Sequence, residues 1–235
     1  MKKFFVIAAL LLAGFTASAQ ANIGAGYMWN FWSHKNGNSK TGTDMMHGIY
    51  AGVSYNIGLV EGLGIAPGAY FLWGTGVGQN ANGKPRKDVV AVGENSSITT
   101  YGTTYMGMQV PVHLTYSADL GGGKFFAYLG PAFEYGFSLK SWMKNQTVIN
   151  GKKGKVSWGD DSDANLYKMN EANERYNNPF DVKLGVGFGY NWKFIQANVG
   201  FDFGFLNRDK TRFTDPDSNA KCNANDVHAG IAFVF

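Results

Sequence analysis

From Asn22 onward the chain repeatedly places apolar side chains at every second position, with small or polar ones between them. In NIGAGYMWNFW, Ile23, Ala25, Tyr27, Trp29 and Phe31 share one face, while Gly24, Gly26, Met28 and Asn30 share the other. A period of two is the mark of a strand with two unlike faces. Seven further stretches keep it: HGIYAGVSYNI, LGIAPGAYFLW, YMGMQVPVHLTY, FFAYLGPAFEYGFSL, FDVKLGVGFGY, FIQANVGFDFGF and the closing HAGIAFVF. In the fifth stretch the pattern assigns Phe125 through Phe137, and then Leu139, to the apolar side. In the last it carries Ile231, Phe233 and Phe235 to the end of the chain. Each stretch is about the 9–11 residues that a tilted strand needs to cross a bilayer.

Composition decides what the apolar faces meet. Aromatic residues make up 15% of the chain and charged residues 16%, with 32 glycines. A soluble protein would have to bury those aromatics. A helical membrane protein would show runs of about 20 apolar residues, and none follows the N-terminal segment. Apolar residues at alternate positions facing lipid, with a small and polar lumen face, satisfy both observations. A sheet in lipid has to close on itself, because its edges have no water to bond. The expected fold is therefore all-β: an eight-stranded antiparallel up-and-down transmembrane β-barrel. The connections after the second, fourth and sixth stretches are short (NIGLVEGLG, SADLGGGK, NWK), and those from about Ser33, Gly74, Lys140 and Leu206 are long. This implies three short periplasmic turns and four long outside loops.

The N-terminus sets the address. Lys2 and Lys3 precede an apolar run from Phe4 to Leu12, and Ala17-Ser18-Ala19 offers a small-x-small cleavage site. Residues 1–19 read as a secretory signal peptide and 20–235 as the barrel, exported to the outer membrane. Lys2 and Lys3 leave with the signal, so the 21 basic and 17 acidic residues of the whole chain become nearly balanced. That argues against nucleic acid as a partner. Cys222 is the sole cysteine, so no internal disulfide is possible.

An eight-stranded barrel has an interior that side chains can fill. The inward set includes Tyr50, Tyr70, Tyr128, Gln109, His113, Gln196, Asn198, Asp226 and His228. A turn at Trp192-Lys193 would set Lys183 opposite Asp202, with Glu134 alongside. A Glu134–Lys183–Asp202 cluster is expected, since an unpaired charge there would be costly. The lumen is expected to be plugged and the protein to be non-enzymatic, with no cofactor and no metal. His34, Asp44, His47 and Ser33 are catalytic residue types, but their spacing specifies no triad. Glycines such as those in GVGFG leave room in a narrow barrel and bind no nucleotide. A structural or surface-interaction role falls to the outside loops, with Trp142, Trp158 and Tyr167 as candidate contacts. The segment ANLYKMNEANERY within the longest loop has the composition of a short helix. Outer-membrane lipid and lipopolysaccharide are the expected surroundings, and a protein or glycan the possible loop partner. The alternatives are a small pore, excluded if the lumen is plugged, and a lipid-modifying enzyme using His34 or His47.

MQVPVHLTY, GPAFEYG and FDVKLGVGFGY resemble successive strands of the PorT-like outer-membrane barrels. The resemblance spans roughly residues 20 to 235. It implies a small outer-membrane barrel and allows an accessory role in an envelope secretion machine. Phe235 is similar to the C-terminal aromatic signature that barrel assembly machinery reads.

Overall fold

The structure, a computed structural model, describes residues 19–92, 95–150, 152–160, 165–168, 177–210 and 219–235. Among these residues ten strands form: β1 (Ala19–Asn36), β2 (Ser39–Val60), β3 (Leu63–Asn80), β4 (Lys87–Val92), β5 (Asn95–Leu120), β6 (Gly123–Ile149), β7 (Lys152–Asp160), β8 (Phe180–Trp192), β9 (Ile195–Gly204) and β10 (Ala220–Val234). Eight of them close the expected antiparallel ring, in the order β1-β2-β3-β5-β6-β8-β9-β10 and back to β1. The closing seam runs from Asn22 opposite Val234 to Asn36 opposite Ala220. At its lower end the Phe235 amide donates to the Ala21 carbonyl (2.8 Å). Backbone bonding to β1 thus continues one residue beyond the end of β10.

The outward faces line up across strands. Leu114, Leu129, Val186, Phe201, Val227 and Trp29 form one continuous apolar row through six strands. Ile23, Ile49, Phe71, Phe133, Phe188, Phe203 and Phe233 are all more than two-fifths exposed. Soluble monomers rarely expose apolar patches larger than a few hundred Å², so this belt faces lipid. Aromatic residues edge it at both margins: Trp29, Trp73 and Tyr135 on the loop side, Tyr116, Trp192 and Phe235 on the turn side.

Inside, glycines make room for rings. A Cβ on Gly26 or Gly230 would lie 2.5 Å and 2.1 Å from the Tyr50 ring and hydroxyl, respectively, so this ring rests across the closing seam. Tyr128 lies in the same way against Gly187 and Gly200. At one end the three connections are two-residue turns. Gly121 and Gly122 both take positive φ (60° and 86°), as a tight twisted hairpin turn requires. The opposite end differs from a set of open loops. β1 and β2 continue as a hairpin to a Gly37-Asn38 turn. β5 and β6 run 26 and 27 residues, far more than a crossing needs, and their upper parts pair with β4 and β7. A four-stranded sheet, β4-β5-β6-β7, thus rises beyond the barrel.

Two expectations need correction. Leu139 points inward and is 2% exposed. Met106 pairs with Ser138 but Gly107 with Gly136, so Phe137 is an extra residue on β6. This β-bulge reverses the parity beyond it. The register of the β8–β9 hairpin is the second correction. Trp192 pairs with Ile195, the turn is Lys193-Phe194 and Lys193 takes φ 54°. Lys183 consequently lies opposite Gly204, and Asp202 opposite Gly185. A shift of two residues preserves parity, so every side chain keeps its face. The signal peptide falls on residues outside the described set, apart from Ala19, which begins β1. Of ANLYKMNEANERY, Asn165 to Lys168 form a turn and the other positions lie outside the described residues.

Candidate functional site

Among the described residues, the loop-side half of the lumen holds six acidic or basic side chains at most 4% exposed: Glu134 from β6, Asp181 and Lys183 from β8, Asp202 from β9, Asp226 from β10, and Arg208 from the segment after β9. Alternation places the five strand residues inward. Lys183 Nζ lies 2.6 Å from Glu134 Oε2 and also pairs with Asp226. Asp226 further accepts from Asn30 Nδ2. Arg208 bonds Glu134, reaches Asp181 Oδ2 through Nε (3.2 Å) and donates from Nη1 to the Tyr167 hydroxyl (3.0 Å). Its guanidinium also lies over the Trp32 ring, 4.7 Å from the centroid. Tyr105 donates to Glu134 Oε1 (2.7 Å). Of the expected trio, Glu134 and Lys183 are thus in direct contact. Asp202 stands apart, accepting from Gln109 Nε2 (3.0 Å) with His228 Nδ1 at 3.6 Å.

The backbone explains how Arg208 and Tyr167 reach the interior. Between Tyr135, where β6 stops pairing with β8, and Trp142, where it starts pairing with β7, the Leu139 amide and Phe137 carbonyl have neither strand as a partner. Asn165 takes both: its Oδ1 accepts from the Leu139 amide (2.9 Å) and its Nδ2 donates to the Phe137 carbonyl (2.7 Å). That anchor sets Tyr167 over Gly136, where a Cβ would lie 2.3 Å from the ring. On the other side the Arg208 amide donates to the Cys222 carbonyl (2.8 Å), and Asn207 Oδ1 accepts from the Cys222 amide (2.7 Å). Both segments fold into the mouth and their side chains point down. Tyr167 is therefore 5% exposed, which corrects its expected role as an outside contact. Trp158, at 66% exposed, does face solvent. It packs beside Trp142 at 5.3 Å and under Lys144 Nζ at 5.3 Å.

Sequence reasoning passed over Asp181 and Arg208. Asp181 shares the parity of Lys183 and was open to detection on that ground. Arg208 lies outside any periodic stretch, and its one signal is the excess of inward acids over bases.

Below the charged layer lies a cavity of about 110 Å³, reaching toward the turn end. Tyr50, Tyr70, His113, Tyr128, Asp202 and His228 line it, and Gln20 stands exposed at its mouth. Tyr128 and His228 Nε2 are hydrogen-bonded at 2.9 Å.

The catalytic residue types divide. His34 Nε2 lies 3.1 Å from Asp44 Oδ2, above the apolar belt. Burial works against its charge, but the Asp44 carboxylate and the Cys222 thiol beside it prevail and raise its pKa to about 10. The imidazolium therefore donates to Asp44. His47 is on the outer face, bonded through Nδ1 to the Tyr27 hydroxyl (2.9 Å). Ser33 has the opposite parity to His34. Cys222 is fully buried. His34, Asp44 and Cys222 thus lie together, while Ser33 and His47 stand apart from them.

A family model described as outer membrane protein beta-barrel domain matches residues 11–209. No curated protein matches the chain. Among solved structures, the chain is similar to the attachment invasion locus protein Ail of Yersinia pestis. That match has 10% identity and a TM-score of 0.42, covering 93% of this chain and 100% of the other. Neisserial surface protein A matches at 12% identity and a TM-score of 0.37, covering 93% and 98%. The outer membrane protease OmpT of Escherichia coli matches at 10% and 0.31, covering 92% and 96%.

Proposed function

Since the chain belongs to the outer membrane protein beta-barrel domain family, we propose that it is a non-enzymatic, non-conducting barrel that works through the sheet it raises beyond the membrane. The observation that carries this reading is the extension of β5 and β6 with β4 and β7. A sheet of this size is not needed to cross the bilayer. Its outer part carries Trp158, Val89, Val90 and Ile149, all more than half exposed, with Lys144, Lys152, Lys153 and Lys155 close by in sequence. Exposed aromatics flanked by cations suit binding of a protein or glycan. The bonded network across the lumen supports the non-conducting part. In this reading the turn end faces the periplasm, residues 1–19 are removed on export and Phe235 serves assembly.

The test is a photo-crosslinking residue in place of Trp158 in intact cells, followed by mass spectrometry. A reproducible adduct, lost when Trp142 and Lys144 are changed to alanine, is the expected result. No adduct above that of a lipid-facing position such as Ile23 would sink the reading. A stoichiometric adduct to an envelope protein would specify it as the accessory-subunit role that PorT-like barrels allow.

A further inference from the structure

We propose that the turn-end vestibule of the lumen binds a small alkylammonium ion, held by Asp202 among the rings of Tyr50, Tyr70, Tyr128, His113 and His228. Asp202 is 2% exposed, yet its Oδ1 has no hydrogen-bond partner, while Oδ2 is engaged by Gln109. His113 Nε2 is likewise buried and unpartnered. Both atoms lie 2.6 Å from the point where a Cβ on Gly185 would stand. Two acceptors thus face the same point beside Gly185, which carries no side chain of its own. His113 accepts there in the tautomer with its proton on Nδ1.

Charge selects the ligand's sign. Among the described residues the buried layer has four carboxylates, Glu134, Asp181, Asp202 and Asp226, against the two cations Lys183 and Arg208. Both cations are bound to the other three acids. Asp202 has the His228 ring at 3.6 Å but no lysine or arginine, and a buried carboxylate without a cation is costly. The cavity walls select the ligand's chemistry. Tyr50 stands edge-on to Tyr70 and to His228, each at 5.7 Å, and His113 stacks on Tyr128 at 4.7 Å. Rings set at such angles receive the methyl or methylene groups of an organic cation. Among the described residues no group of three His, Cys, Asp or Glu is arranged for a metal ion. An N–H of the ammonium donates to Asp202 Oδ1 and another to His113 Nε2. The cavity's volume suits a ligand of a few heavy atoms, and neutral side chains (Gln20, Asn22, Asn56) at its mouth admit a cation without trapping it.

The experiment is a titration of the full barrel in detergent micelles with methylammonium chloride, observing the ring resonances of histidine and tyrosine by NMR. Sodium chloride at equal ionic strength is the control. Saturable shifts at His113, His228 and Tyr128 are expected. Asp202→Asn keeps the shape of the site and should weaken binding at least tenfold. Gly185→Ala keeps every charge, fills the space between Asp202 and His113 and should do the same, which covers the case of an Asp202 variant that does not fold. Absence of saturation beyond the salt control overturns the site. So does unchanged binding in either folded variant.

Discussion

Lys183 holds two carboxylates at once in a place with almost no solvent exposure. Replacing it with methionine keeps the packing of the aliphatic stem but leaves Glu134 and Asp226 short of a counter-charge. Breaking a buried pair from one side costs about 3–5 kcal/mol. Lys183→Met should therefore lower the temperature at which the barrel loses its compact electrophoretic form, and a second change, Asp226→Asn, should recover part of the loss. An unchanged midpoint would mean that this pairing is not formed. Arg208 is not interchangeable with lysine, because its fork reaches Glu134, Asp181 and Tyr167 together. Its role shows how a residue from a connection completes a site that strand parity alone would leave acidic.

At the level of elements, the strands outlast the membrane. β1 and β2 continue past the apolar belt and are joined there by the His34–Asp44 pair. Folding raises the His34 pKa from its ordinary 6.5 to about 10. The contribution of this pair is fully present below the unfolded value, declines as pH rises above it and is lost as pH passes the folded value. The midpoint of thermal unfolding should thus fall between about pH 6 and about pH 11 more steeply in the wild type than in His34→Gln. Equal slopes would place the pair outside the folding equilibrium. The bulge on β6 is the other device at this scale. One extra residue re-aims Leu139 into the lumen, in the stretch between the β8 and β7 pairings where Asn165 anchors Tyr167.

For the whole molecule the lumen has two parts: a bonded charge layer toward the loops and an open vestibule toward the turns. Side chains from six strands and two connections meet in the charge layer. Reconstituted in planar bilayers, the wild type should show no steady single-channel steps. Arg208→Ala, which removes the bridge between Glu134, Asp181 and Tyr167, should introduce flickering current. Steady conductance in the wild type would contradict a closed lumen and restore the pore reading.

The alternation of Ile23, Ala25, Tyr27, Trp29 and Phe31, repeated eight times, was sufficient to read the ring, its lipid-facing side and most of its inward residues. Parity is a local property of an extended chain, and it survives a register slip of two. That is why Lys183 and Asp202 both face the lumen although they are not opposite each other. Register depends on where the turn forms, and NWKF carries no glycine to mark it. The bulge at Phe137 arises only when β6 has to match β5, and the inward course of Arg208 and Tyr167 follows from backbone groups and charges brought together by closure. The sequence by itself determined which face each strand shows to lipid; tertiary structure decided which charges meet, because those partners lie far apart in the chain and only the closed barrel brings them within bonding distance.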